Sequence, residues 1–277
     1  MKLSIITINK NNSAGLEKTI KSVICQNYTD FEYIVIDGAS DDDSVEIIKR
    51  FADKIDYWVS EPDTGIYNAM NKGIRKAQGD YCLFLNSGDW LISSETLYNV
   101  FAELNDLTPS DIYYGDRINS DGTFYKYPKV LSINDLLLIS ISHQNSLIRR
   151  SLFLEHGFYN ENLHICSDTE FFIFEMWKYK SKFTYIKTNI SIFDPYGIGS
   201  IDSPEHRAEN LTMFQNVFGE LSESIIKYVN YTDSLYWQIV KTYGNTCLLN
   251  FLLKSYRFLI DKISKLKRLF TNIVQSL

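Results

Sequence analysis

The stretch from Glu61 to Asp89, EPDTGIYNAMNKGIRKAQGDYCLFLNSGD, passes through turn, helix, turn and strand in quick succession. Pro62, Asp63 and Gly65 mark the first turn, and Ile66, Met70, Ile74 and Ala77 recur at helical spacing. Gly79 breaks the helix, and Tyr81 to Leu85 is an apolar run of strand length. That run stops abruptly at Asn86, Ser87, Gly88 and Asp89. Polar groups therefore lie at the carboxyl end of a buried strand, which is where open α/β sheets bind ligands.

The same unit precedes it. Leu3 to Ile8 is a short apolar run rich in β-branched residues, followed by a helix pattern in Leu16, Ile20, Val23 and Ile24. Phe31 to Ile36 is the next strand, ending in Asp37, Gly38 and Ser40. A second helix carries Val45, Ile48 and Phe51, and Tyr57 to Val59 is a third strand. Strands alternating with helices predict an α/β fold with a mostly parallel, doubly wound sheet. Three of its strand ends carry polar groups: Asn9 and Asn11 after the first, Asp37 after the second, Asp89 after the fourth.

The chain of 277 residues is 45% apolar, enough for one large α/β domain and a helical appendage. Its four cysteines, Cys25, Cys82, Cys166 and Cys247, are isolated, which fits a reducing, cytoplasmic compartment better than a disulfide scaffold. The six strand-like residues after Lys2 are too few for a signal peptide, and no membrane span is expected. The net charge of −6 is unevenly spread, because residues 241–277 hold seven basic groups and one acid. An acidic body argues against nucleic acid as a partner. Neither GxGxxG nor GxxxxGK[ST] follows the first strand, so a dinucleotide site and a P-loop are excluded.

The runs LSIITINKNN, CQNYTDFEYIVIDGASDDDS and NKGIRKAQGDYCLFLNSGD resemble the amino-terminal half of family 2 glycosyltransferases, especially those of bacterial capsule, exopolysaccharide and lipopolysaccharide synthesis. The resemblance covers residues 1–200 and implies the GT-A fold, with a nucleotide-sugar lying across the strand ends and Mg²⁺ or Mn²⁺ held by a short acidic motif. NSGD stands in place of that motif and keeps one carboxylate, so the resemblance makes Asp89 the metal ligand. It places Thr7, Asn9, Asp37, Asp63, Asn71, Lys72 and Ser87 on the donor side. Gly38 stands where relatives often carry a second Asp, and Met70 where many carry Arg. Asp63 reads equally well as an Asx turn around Pro62 and Gly65.

In the second half, Asp111 to Gly115 reads as a strand and Asp121–Gly122 as a hairpin turn. His143 and Gln144 resemble an acceptor or sugar contact, although a satisfied buried histidine is the other reading. Ser151 to His156 is a short helix stopped by Gly157, and Asp168 opens a helix with Phe171, Phe172, Phe174, Glu175 and Trp177 behind it. An inverting transfer needs one general base. The resemblance gives that role to Asp168, whose alternative is a helix cap. Ile186 to Phe193 is expected as the last strand, followed by a loop with Gly197 and Gly199 able to close on a donor.

Beyond Pro204 the pattern turns helical, and residues 246–277 form a basic amphipathic helix suited to an anionic membrane, to the domain surface or to a second copy in a homodimer. Two regions follow, a GT-A glycosyltransferase domain at 1–203 and a helical region at 204–277. The expected function is an inverting, metal-dependent glycosyltransferase at the cytoplasmic face of the membrane, transferring sugar from a nucleotide-sugar donor to a lipid-linked glycan acceptor. The rivals are a sugar nucleotidyltransferase and an inactive sugar- or nucleotide-binding module.

Overall fold

The computed structural model describes residues 2–194 and 203–243, with side chains up to residue 232. The expected basic helix at 246–277 and the loop at Gly197 and Gly199 lie outside the described residues. The chain divides into two compact units, Met1–Ser222 and Glu223–Leu277. Among the described residues no helix is long and apolar enough to cross a membrane.

The first unit opens with β1 (Leu3–Asn9), α1 (Ser13–Ile24), β2 (Phe31–Asp37), α2 (Ser44–Arg50), β3 (Tyr57–Ser60), α3 (Ile66–Lys76) and β4 (Tyr81–Phe84). Each run thus forms the element its periodicity predicts. β1 and β4 are buried along their whole length, as strands covered by helices on both faces must be. Leu3 and Ile5 pack with Leu16, Ile20 and Val23 of α1 on one face, while Ile6 meets α3 at Gly73 on the other.

Three strands run parallel, and their register decides what meets at the end of the sheet. Asn9 pairs with Asp37, and Asp37 with Ser60, so one polar residue from each strand stands in a single row.

The chain continues through β5 (Trp90–Leu91), α4 (Thr96–Asn105), β6 (Ile112–Tyr114), β7 (Arg117–Asn119), β8 (Phe124–Tyr125), α5 (Ile133–Ile139), β9 (Ser146–Arg149), α6 (Arg150–His156) and α7 (Ser167–Phe174). It then adds β10 (Phe183–Tyr185), β11 (Ser191–Phe193), α8 (Pro204–Phe218) and α9 (Ser222–Tyr243). The main sheet has the order β10-β6-β9-β4-β1-β2-β3. Only β9 runs against its neighbours there, pairing antiparallel with both β4 and β6. The hairpin expected at Asp121–Gly122 is present as β7 and β8.

One expectation is corrected. Of the strand predicted at 186–193 only Ser191–Phe193 is a strand, β11, and it joins a second sheet of order β5-β11-β7-β8, while β10 of the main sheet has already ended at Tyr185. Between them the Glu103 carboxylate accepts from the backbone nitrogens of Lys187 and Thr188 at 2.8 and 3.0 Å, which holds the chain where it crosses over. The first compact unit extends through α8 to Ser222. α8 belongs with the sheet because Met213 and Phe214 are buried and Asn216 donates to Glu170 of α7 at 2.8 Å.

Candidate active site

The row at the ends of β1, β2 and β3 closes around Asp37. Its Oδ1 accepts from Asn9 Nδ2 at 2.7 Å and Ser40 Oγ at 2.6 Å, and its Oδ2 from Ser40 N at 3.0 Å and Ser60 Oγ at 2.6 Å. Burial by itself would raise the pKa of this carboxyl, but those four donors outweigh it and hold Asp37 below the ordinary carboxylate range. Asn9 Oδ1 is left buried with no hydrogen-bond partner among the described residues, an acceptor at the edge of the cleft.

Asp63 reaches the same place from the loop before α3. Its Oδ1 accepts from Gly65 N at 3.1 Å in an Asx turn, and its Oδ2 lies where a side chain at position 38 would begin, 2.3 Å from a Cβ built on Gly38. The Asx turn read for Asp63 is present. The missing carboxylate at Gly38 is matched by the Asp63 carboxylate lying over it.

The Asn86–Asp89 loop is tied to the first turn. Asn12 caps α1 by accepting from Gly15 N at 3.1 Å and donates to Ser87 O at 3.0 Å. Gly88 has φ +108, a conformation L side chains rarely adopt, and its amide donates to Thr19 Oγ1 at 3.0 Å. The resulting turn aims Asp89 inward, 3% exposed. Its Oδ1 accepts from Asp194 N at 2.9 Å, the Gln144 amide hydrogen-bonds to it, and His143 lies near enough to lower its pKa. Burial dominates, so the carboxyl is pushed up to about 6. The Asp194 carboxylate sits beside it, 3.1 Å from a Cβ built on Gly88.

Asp168 stands at the start of α7, but the N-cap is Cys166, so Asp168 does not cap that helix. Asp168 Oδ1 accepts from Tyr67 OH at 2.8 Å and Thr169 N at 2.9 Å, and Oδ2 from His143 Nδ1 at 2.8 Å. His143 in turn presents Nε2 to Asn86 Nδ2 at 3.3 Å. One connected path thus runs from α3 through α7 and the turn before β9 to the loop after β4. Glu209 of α8 fixes the approach to Asp168, accepting from the backbone nitrogens of His164 and Ile165 at 2.7 Å each.

The structure gathers Asn9, Asp37, Asp63, Ser87, Asp89, His143, Gln144 and Asp168 along one edge of the sheet, and leaves three expected residues out of it. Thr7 is fully buried, with Oγ1 3.0 Å from Tyr33 OH inside the core. Asn71 is buried and its amide is spent on Tyr159 and Glu161, bracing α3 against the loop before α7. Lys72 donates to Pro62 O at 2.8 Å and pairs with Glu61 at 2.9 Å, on the outer side of the Asp63 loop. Gln144, expected at the acceptor, braces Asp89 instead. Ser60, Tyr67 and Asp194 were not foreseen. Strand register could have found Ser60; no local pattern marks the other two.

Comparison with known proteins places this geometry. The model of "Glycosyl transferase family 2" matches residues 4–178. A "PGL/p-HBAD biosynthesis glycosyltransferase" of Mycobacterium bovis is 34% identical over 172 residues, 61% of this chain and 67% of that protein. An uncharacterized glycosyltransferase of Mycobacterium tuberculosis is 32% identical over 212 residues, 73% of this chain and 78% of that protein. Among solved structures, S. aureus TarS 1-349 has a TM-score of 0.65 at 17% identity, covering 89% of this chain and 76% of that one. The mannosyltransferase PcManGT of Pyrobaculum calidifontis, in complex with GDP-Man and Mn²⁺, has a TM-score of 0.61 at 15% identity, covering 93% and 80%. With a mostly parallel α/β sheet of the GT-A type and the family model spanning well over half its length, the chain belongs to glycosyltransferase family 2.

Proposed function

We propose that this chain is an inverting, metal-dependent glycosyltransferase that moves a sugar from a nucleotide-sugar to a lipid-linked surface glycan at the cytoplasmic face of the membrane. The observation that carries the reading is a buried carboxylate, Asp89, in the loop after β4 that is tied to the turn after β1, its pKa pushed up to about 6 by burial. Asp89 and the neighbouring Asp194 offer hard oxygens, the donor set that suits Mg²⁺ or Mn²⁺. Two carboxylates fall short of a full shell, and phosphate oxygens of the donor would supply the rest. When bound, the cation neutralises charge gathering on the departing diphosphate.

The chain's own residues divide the remaining work. The Asn9–Asp37–Ser60 row and Asp63 receive the nucleoside end, with Asn9 Oδ1 and the Asp63 carboxylate facing it. Ser87 lines the path between them and Asp89. Asp168 supplies the negative charge that the acceptor's proton transfer requires. A sugar nucleotidyltransferase would need a glycine-rich basic loop after β1; here Asn11 and Asn12 fill that turn with bonds to Asp41 N and Ser87. The lipid-linked acceptor rests on the basic amphipathic sequence of residues 246–277.

The test is turnover of UDP-GlcNAc, UDP-glucose and GDP-mannose with Mn²⁺, followed by early ¹H NMR of the sugar released to water or acceptor. Release of nucleoside diphosphate with β-configured sugar from an α-linked donor is expected. Tight donor binding with no release at all would favour the inactive module, and α-configured sugar would exclude inversion.

Gly38→Ala gives a second expected outcome. A Cβ there collides with Asp63 Oδ2, so the Asp63 carboxylate must turn away, and nucleoside diphosphate affinity measured by calorimetry should fall about tenfold, roughly 1.4 kcal/mol. Unchanged affinity would remove Asp63 from the donor site.

A further inference from the structure

His143 joins the two halves of the site and is 9% exposed. An ionised carboxylate only accepts, so the ring proton shared at 2.8 Å with Asp168 Oδ2 sits on Nδ1. Nε2 is then the atom with a lone pair. Its one neighbour among the described hydrogen bonds is Asn86 Nδ2 at 3.3 Å, a long contact from a neutral amide that an incoming hydroxyl can replace.

Asp168 is the more heavily bonded of the two, held by three donors. Tyr67 and Thr169 occupy Oδ1 and His143 occupies Oδ2. Burial would raise its pKa, but the bond and charge of His143 and the Tyr67 hydroxyl hold it below the ordinary range, which makes it a weak proton acceptor.

The geometry points to an acid–base dyad in which His143 Nε2 takes the proton of the acceptor hydroxyl, while Asp168 positions the ring and stabilises the imidazolium. The inference rests on the glycosyltransferase reading and names the atom that reacts. The acceptor oxygen's lone pair forms the new bond to the anomeric carbon as the hydroxyl proton passes to Nε2. The bond from that carbon to the phosphate oxygen breaks, and its electron pair leaves with the nucleoside diphosphate. The imidazolium afterwards gives its proton to water. Three ionisable groups face His143: Asp168 from α7, Asp89 from the loop after β4, and Tyr67 of α3 through Asp168.

Asp168→Asn tests the arrangement through the protein's own hydrogen bonds. Tyr67 OH and Thr169 N both donate to the Oδ1 position, so the amide oxygen of the variant must lie there and its NH₂ must face His143. Nδ1 then becomes an acceptor, and the ring proton is forced onto Nε2. The experiment uses full-length protein labelled with ¹⁵N-histidine, whose ring-nitrogen shifts report the tautomer, together with kcat and KM for whichever of UDP-GlcNAc, UDP-glucose and GDP-mannose is turned over with Mn²⁺.

The expected results are an Nδ1–H ring in the wild type, an Nε2–H ring in Asp168→Asn, and a kcat for His143→Gln lower by about 10² or more with donor KM unchanged. A wild-type ring protonated at Nε2, or a His143→Gln kcat within about threefold of wild type, would overturn the dyad. Absence of turnover by the wild type would count against the transferase reading instead, and the ring-nitrogen spectra would still decide the tautomer on which the dyad depends.

Discussion

In the Asp89→Asn protein, Mn²⁺ is expected to lose its effect on nucleotide binding, and turnover is expected to fall by on the order of 10³-fold while the protein stays folded. The sign of the stability change separates this from simple damage. Burial raises Asp89 from 3.8 to about 6, so between those values the folded state binds more protons than the unfolded one. The stability that Asp89 contributes is present below about 4 and lost as pH rises through about 6. At pH 7.5 the folded protein without metal carries the cost of a buried charge, and a neutral amide removes it. Asp89→Asn should therefore melt no lower than wild type in EDTA at pH 7.5. The same logic fixes the metal's pH dependence: a proton and a divalent cation compete for this carboxylate, so stabilisation by Mn²⁺ should grow as pH is raised from 5 to 7.5. Melting curves at the two pH values measure it, and a metal effect equal at both would detach the cation from Asp89.

Phe84→Ala should produce the largest loss of stability. Phe84 ends β4 with no exposed surface, and its ring packs edge-on against His143, Phe153 and Tyr159 at centroid distances of 6.4, 6.1 and 5.6 Å. Truncation removes that contact and leaves a cavity between the sheet and the helices that carry Asp168, at a cost of about 3–5 kcal/mol. The ring also forms a wall against which the His143 imidazole is held, so residual folded protein should turn over more slowly than wild type even at low temperature. Urea unfolding followed by tryptophan fluorescence gives the first quantity. A loss under about 1 kcal/mol would mean that the cavity collapses or that Phe84 is not the centre of this cluster.

The sheet was legible because each of its first four strands is an apolar run closed by turn residues, and periodicity needs nothing more distant than that. The absence of strand at 186–190 was not legible, because Ile186, Ile190, Ile192 and Phe193 keep a strand-like apolar pattern while the backbone of Lys187 and Thr188 is held by Glu103, far away in sequence. At the site, Asp37, Asp89 and Asp168 were found because polar residues stopped apolar runs or opened a helix. What each does there was not readable from position. Gln144 lies beside His143 in sequence, yet one braces Asp89 and the other Asp168. Asn71 lies on α3 as read, yet its partners are Tyr159 and Glu161 from a loop that only the fold brings near. Tyr67 and Asp194 escaped for the same reason. Their roles are set by long-range packing, and a single tyrosine or aspartate carries no local mark of it.

The central claim is that the strand ends form a metal-assisted nucleotide site centred on Asp89. The thermal stability of wild type and Asp89→Ala against UDP and GDP, each with and without Mn²⁺, tests it most directly. A ligand that binds the folded state alone stabilises it by about 2.7 kcal/mol at a concentration 100 times its Kd. The account predicts a rise in melting temperature for at least one nucleotide that requires both Mn²⁺ and Asp89. A folded wild-type protein that shifts with neither nucleotide in the presence of Mn²⁺, or an Asp89→Ala variant that shifts as far as wild type, would contradict it.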